Sequence, residues 1–237
     1  MPAGLTRVRE RLLSREVAGR LRNDPGLRVL RERCTGLNPR QIAAQPIDST
    51  RFVVIDTETT GLHVYSGDEI VSIAMLELQG LAPTGREFNS LVNPRCPISQ
   101  TSVEIHGIRD VDVKDAPDMD GLIGEVIDFI GEGVIVGHHI NFDLRFLNKT
   151  LHRMIGCKLR NPWLDTMLLY LGHSGRIGHY TLEEVAQHCK VPVTERHTAR
   201  GDALTTANIF AKLADQFVTA DQPTSRLINH QQDNEYI

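Results

Sequence analysis

Residues 52–61 read F-V-V-I-D-T-E-T-T-G, and this stretch decides the fold class. Residues 51–56 form a short, continuous, β-branched apolar run, the pattern of a strand buried on both faces. The run stops abruptly at Asp56 and Glu58, two carboxylates one residue apart. Side chains alternate along a strand, so an extended D-x-E turns both carboxylates to one face, where they can share a cation. A second apolar run ends similarly in V-I-V-G-H-H-I-N-F-D at 134–143, which closes on Asp143. A further acid, Asp202, stands in H-T-A-R-G-D-A-L at 197–204, five residues after His197.

Around these motifs the periodicity predicts further elements. Strands are expected at 69–78 and 86–93, with the connection around Gly80 to Gly85, and these short links favour antiparallel neighbours. Helical spacing appears at 117–130 through Leu122, Val126 and Ile130, and at 141–154 through Leu144, Phe146, Leu147 and Leu151. A short buried strand at 134–137 separates those two helices. Helices are expected at 165–171, 181–189 and 201–217, with one more strand near 159–164. The order predicts an α/β domain on a mixed sheet, flanked by helices. A right-handed crossover would set the two acid-bearing strands side by side and parallel, bringing Asp56 and Asp143 to the carboxyl end of the sheet.

Oxygen-only ligands favour Mg²⁺ or Mn²⁺ over zinc. Asp202, expected in the first turn of the last long helix, also suits the helix dipole. Acids around a hard cation with a histidine beside them are what phosphodiester hydrolysis needs. Each motif alone has a plain structural alternative. D-T-E-T can cap a turn, G-D-A-L is a common helix start, Asp143 can cap a helix, and His197 can be a surface histidine. Their joint occurrence, each at the end of an element, favours the catalytic reading.

With I-D-T-E-T-T-G-L at 55–62, G-D-E-I-V-S-I-A at 67–74, G-H-H-I-N-F-D-L-R-F-L at 137–147 and H-T-A-R-G-D-A at 197–203, the chain resembles the DEDDh 3′–5′ exonuclease family. It is most similar to the DnaQ type, whose members include proofreading epsilon subunits of DNA polymerase III. The likeness runs from about Phe52 to Leu213. It includes E-I-H-G-I at 104–108, D-T at 165–166 and Y-T-L-E-E-V-A at 180–186.

The resemblance implies a ribonuclease H-like fold and two divalent cations, Mg²⁺ or Mn²⁺. Asp56, Glu58 and Asp202 would chiefly hold them, with Asp143 completing the acidic set partly through water. Two such ions lie roughly 3.5–4 Å apart and stabilise the attacking and leaving oxygens. His197 would be the general base, a task suited to an imidazole. Products would be 5′-nucleoside monophosphates released from a 3′ end. Thr59, Thr60, Gly61 and Leu62 would meet the terminal sugar and base, and His106, Ile108, His138 and Phe142 resemble the surrounding walls. His139 departs from the family, which usually has asparagine there. Arg200 reads equally as a phosphate contact or a solvated arginine.

Composition sets the remaining bounds. The chain has 237 residues, 41% apolar and 24% charged, ordinary values for one folded domain with an appendage. No apolar run approaches the roughly 20 residues of a membrane helix, and the N-terminus lacks the apolar core of a signal peptide. The four cysteines are scattered, without zinc spacing, which reads as reduced thiols in a cytoplasmic protein. The net charge of −4 hides an asymmetry: residues 1–40 hold ten arginines against four acids. That basic stretch carries Leu5, Val8, Leu12, Leu13, Val17 and Leu21 at helical spacing. It predicts a helical extension over 1–45, either gripping nucleic acid or packed on the domain with its charges solvated; an arginine-rich transit peptide is a third reading, weakened by the glutamates. An exonuclease domain is expected at 46–220 and a polar, frayed tail at 221–237.

Single-stranded DNA ends are the favoured substrate. RNA trimming and a non-catalytic module that binds nucleic acid or a polymerase are the alternatives. The chain shows no polymerase region, so proofreading implies a separate polymerase partner subunit.

Overall fold

The computed structural model describes residues 15–175 and 177–232. Its five strands are β1 (Arg51–Thr59), β2 (Ile70–Gln79), β3 (Ala82–Leu91), β4 (Val134–Gly137) and β5 (Trp163–Asp165), and its helices begin with residues 15–23 (α1), α2 (Pro25–Gly36), α3 (Pro39–Ala43), α4 (Gln100–His106) and α5 (Asp110–Val113). The strands form one mixed sheet in the order β3-β2-β1-β4-β5. β1 pairs antiparallel with β2 and parallel with β4, and β4 pairs parallel with β5. The two acid-bearing segments therefore lie side by side, as the apolar runs predict.

Strand alternation divides the core into two layers. Phe52 and Val54 face one layer, completed by α9 (Leu182–Cys189) and α10 (Ala199–Phe217). Val53 and Ile55 face the other, built with α2 (Pro25–Gly36), α6 (Met119–Ile130) and α7 (Asn141–Ile155). Pairing of β1 with β4 ends at Val54↔Val136, so residues 56–59 of β1 project past the end of β4. This stagger opens the notch in which the acids collect.

Two expectations change. The connection between β2 and β3 is a turn at Gly80 and Leu81, and the strand after it begins at Ala82. Pro83 and Gly85 made this stretch look like a loop. β3 is an edge strand, though, where proline is tolerated because its missing N–H need not join a ladder.

The frayed end expected beyond Ala220 is corrected over 221–232. There, helix α11 (Ser225–Gln232) docks against α8 (Thr166–Ser174) and β5. Leu227 is fully buried in the first layer, and Pro223 bridges Pro46. The polar composition hid a helix whose few apolar residues all point inward. Residues 233–237 lie outside the described residues.

The described part of the N-terminal extension packs on the domain, one of the readings its sequence offered. Helical residues 15–23 (α1) and α2 bury Val17, Leu30 and Cys34. Three of their arginines bond carbonyls at helix ends, while Arg33 pairs with Asp128. Arg20 Nη1 donates to Arg153 O at 3.2 Å and Arg31 Nη1 to Ile155 O, both in the last turn of α7. Arg28 donates to Leu21 O and Arg22 O at the end of α1. Guanidinium groups suit these carbonyl-rich, partly negative ends. Leu5, Val8, Leu12 and Leu13 of the predicted helix lie outside the described residues. Among the described residues, no helix is long and apolar enough to cross a membrane.

Candidate active site

β1 carries Asp56 and Glu58 on the layer that faces α10, opposite Ala74 and Ser72 of β2. A register shift between Glu58 and Thr59 then bends the chain away into the next loop. Asp202 sits in the first turn of α10, where Thr198 caps the helix by accepting from Gly201 N at 3.1 Å. Asp56, Glu58 and Asp202 each place a carboxylate oxygen within 4.8 Å of the others. Asp202 is only 3% exposed, and its Oδ1 is buried without a hydrogen-bond partner. A buried carboxylate oxygen left bare beside two further acids fits a hard divalent cation, for which an oxygen-only donor set is suited.

Asp143 approaches from the other layer. It lies in the first turn of α7, and Thr57 Oγ1 donates to its Oδ1 at 2.6 Å. Thr57 points to that layer because it alternates with Asp56 and Glu58. Asp165 holds the β4–α7 turn in place. Its carboxylate accepts from the backbone N–H groups of His139 and Ile140, each at 3.1 Å, and from Met167 at 2.9 Å. Gln231 Oε1 in turn accepts from Asp165 N at 2.6 Å, which ties the C-terminal helix to the acidic notch.

Crowding of acids shows in their titration. Burial raises Asp56 well above the usual carboxylate range, and the charges of Asp143, Asp202 and Glu58 raise it further. Glu58 is pushed up to about 7 by burial and by Asp202. Burial also pushes Asp143 up to about 7, against the Thr57 bond. Asp202 is raised by burial, with Arg196 opposing.

His197 stands at the loop end before α10 with φ of 61°, in the left-handed region that side chains rarely adopt. Its backbone N–H donates to Asp202 Oδ2 at 3.3 Å, which fixes the residue beside the acids. Non-glycine strain of this kind concentrates at functional sites.

The residues expected to line the terminal nucleotide divide into two groups. Leu62 is 76% exposed on the loop after β1. Thr59 and Thr60, by contrast, are buried and spend their hydroxyls inside that loop, on Gly61 O and Asp68 respectively. Gly61 has no side chain because a Cβ there would run into the Asp68 carboxylate. His106 Nδ1 accepts from Ile108 N at 3.1 Å, so its Nε2–H donates to Thr59 O at 3.2 Å and braces the end of β1. Ile108 packs with Val71, Ile98 and Val113. Phe142 meets Phe146 edge-on at 5.0 Å.

A cleft of about 330 Å³ beside the acids is lined by Asp56, Asp202, His138, His139, His179 and Arg196 among others. His138 donates from Nε2 to Tyr180 O at 3.0 Å, and burial lowers its pKa to about 3, so it is a neutral structural imidazole. His139 also reaches Tyr180 O, at 3.3 Å, and stacks on His179 with ring centroids 4.8 Å apart. Arg200 pairs with Glu87 at 3.1 Å and Glu195 at 3.8 Å. Sequence reasoning missed Arg196, which pairs with Asp202. Its position next to His197 was the only local signal.

The RNase T exonuclease family model matches residues 53–210, which span every one of these acids. The chain is a member of that exonuclease family. Within it, the DEDDh, epsilon-like type fits both motifs and relatives. A DNA polymerase III epsilon-like protein of Rhodobacter capsulatus is 39% identical over 176 residues, covering 73% of this chain and 25% of the relative. The DNA polymerase III epsilon subunit of Aquifex aeolicus is 32% identical over 170 residues, covering 72% and 83%. A PolC-type DNA polymerase III of Oceanobacillus iheyensis is matched over only 13% of its length. This chain thus corresponds to a small part of two of these relatives and to most of the third. Exonuclease X, solved with 5′ overhanging duplex DNA, aligns with a TM-score of 0.59 at 26% identity, covering 74% of this chain and 99% of that one. The nuclease domain of 3′hExo, a DEDDh member solved with rAMP, shares the fold with a TM-score of 0.63 at 16% identity, covering 73% and 95%. The exonuclease fold is thus shared, and this family works with divalent metal ions.

Proposed function

We propose that this chain is a metal-dependent 3′–5′ exonuclease that releases 5′-nucleoside monophosphates from single-stranded DNA ends. One observation carries the reading: the Asp56, Glu58 and Asp202 oxygens converge within 4.8 Å in a chain of the exonuclease family. Asp56, Glu58 and Asp202 would hold Mg²⁺ or Mn²⁺, and Asp143 would complete the acidic set from the opposite layer. Two such cations, when bound, supply charge stabilisation for the attacking and leaving oxygens of phosphodiester cleavage.

The protein's own residues do the rest. His197 is the general base that accepts the proton of the attacking water, held beside the acids by its backbone bond to Asp202. Leu62, exposed on the loop after β1, packs against the terminal base. Thr59 and Thr60 act through the loop geometry that their internal bonds set. Phe142 and His106 bound the space for the terminal sugar. DNA is favoured because the relatives are DNA polymerase III subunits and exonuclease X was solved with DNA. A polymerase would be a separate partner subunit. The domain is proposed to begin near residue 46 and to include the docked helix α11, with the packed N-terminal helices as its support.

The test uses 5′-labelled single-stranded DNA and matched RNA with Mg²⁺ or Mn²⁺, then with EDTA. A descending ladder that EDTA abolishes is the expected result, faster on DNA. A faster ladder on RNA would reassign the substrate, and no ladder on either would leave a binding module.

A further inference from the structure

The acidic notch contains its own cation. Arg196 lies between α9 and α10 in the loop that precedes His197. Its Nε donates to Glu183 Oε1 at 2.5 Å, and its Nη1 pairs with Asp202 Oδ2. The placement is built rather than incidental. Glu195 and His197, the residues on either side, both take left-handed φ values of 51° and 61°. The loop also lies so tightly on α10 that a Cβ at Gly201 would collide with the carbonyls of Thr194 and Glu195. The guanidinium lines the cleft with Asp56 and Asp202.

The carboxylate that Arg196 contacts is one of three whose oxygens lie within 4.8 Å of one another, so the arginine's charge stands beside the whole set of Asp56, Glu58 and Asp202. Buried like charges need a counter-charge, and among the described residues Arg196 supplies it through a direct contact with Asp202. A divalent cation bound by the same carboxylates would meet that positive charge at short range. Glu183 offers the guanidinium a second carboxylate, and the bond to Arg196 holds the Glu183 carboxyl down at about 2.

We infer that Arg196 is a positioning residue that competes with the divalent cation for Asp202. It stabilises the metal-free site, weakens cation affinity, and yields Asp202 to the cation while staying tethered to Glu183. The inference rests on the assignment of Asp56, Glu58 and Asp202 as cation ligands. It gives the two partners of the arginine opposite effects. Loss of Arg196 frees Asp202 for metal, whereas loss of Glu183 leaves the arginine wholly to Asp202.

The experiment titrates Mn²⁺ into the full chain without nucleic acid, by calorimetry, with thermal unfolding in EDTA alongside. R196Q should bind Mn²⁺ at least about tenfold more tightly, the equivalent of one charge-assisted hydrogen bond, and should melt lower without metal. E183Q should bind Mn²⁺ more weakly than the parent. A merely structural arginine would not tighten metal binding when removed. Unchanged or weaker binding by R196Q, with D202N losing the site, overturns the inference and leaves the ligand assignment intact. If R196Q does not fold, unchanged or tighter binding by E183Q overturns it equally. Mn²⁺ binding that survives D202N would instead overturn the ligand assignment beneath it.

Discussion

Thr57 Oγ1 donates a 2.6 Å hydrogen bond to Asp143 Oδ1, joining the central strand to the start of α7 across the layer opposite Asp56 and Glu58. Both residues are buried. The same strand thus supplies two acids to one layer and a hydroxyl that orients a third acid in the other.

Replacing Thr57 by Val leaves a buried carboxylate without that donor, at a cost of about 1–3 kcal/mol. Thr57→Val should lower the melting temperature and slow nucleotide release at saturating metal, and Thr57→Ser should restore most of both. Wild-type rates in the valine variant would show that Asp143 needs no such support.

His197→Asn keeps a residue tolerant of positive φ and removes the imidazole. Nucleotide release should fall by about 10²–10⁴, the range for loss of a general base, with the melting temperature nearly unchanged. Asp202→Asn should be at least as inactive. Release rates within a fewfold of the parent in both variants would sink the assignment.

Metal-free stability should depend on pH in a definite sense. Glu58 and Asp143 hold their protons up to about 7 in the folded chain, and Asp56 is raised too. Unfolded carboxyls release theirs near 4. Across the window from about 4 to 7 the folded state binds more protons, so stability falls as pH rises; it is highest below the window. In EDTA, the site's contribution should therefore be lost as pH rises from about 4 to about 7, and Mn²⁺ should raise the melting temperature more at the higher end of that window. An equal rise at both would argue against cation binding at these acids.

The N-terminal helices should matter for stability. Leu30 lies in the second core layer, and Leu30→Ala should cost about 2–5 kcal/mol in chemical denaturation. Replacing Arg20, Arg28 and Arg31 by Gln should lower the melting temperature while leaving the salt slope of DNA binding unchanged. A smaller slope would mean that these arginines grip phosphate.

The C-terminal helix should behave alike. Leu227→Ala should destabilise by about 2–5 kcal/mol, because the side chain is fully buried. Gln231→Ala should leave the Asp165 N–H without its acceptor and loosen the β4–α7 turn. Unaltered activity in Gln231→Ala would separate that helix from the site.

Local chemistry alone made much of this legible. A β-branched run that ends in D-x-E must put Asp56 and Glu58 on one face, because strand side chains alternate. The apolar spacing of 141–154 and 201–217 likewise fixed α7 and α10, with Asp143 and Asp202 in their first turns. Other features depend on partners far along the chain, which no local period encodes. The polar 221–232 looked frayed until Leu227 found its core beside residues of β1, β4 and α10. Arg196 carried no motif, and its meaning comes from Glu183 and Asp202 closing on it from two helices. Periodicity determines which face a side chain takes. Only the packed structure decides which charge or hydroxyl stands opposite, since burial makes those few long-range pairs count.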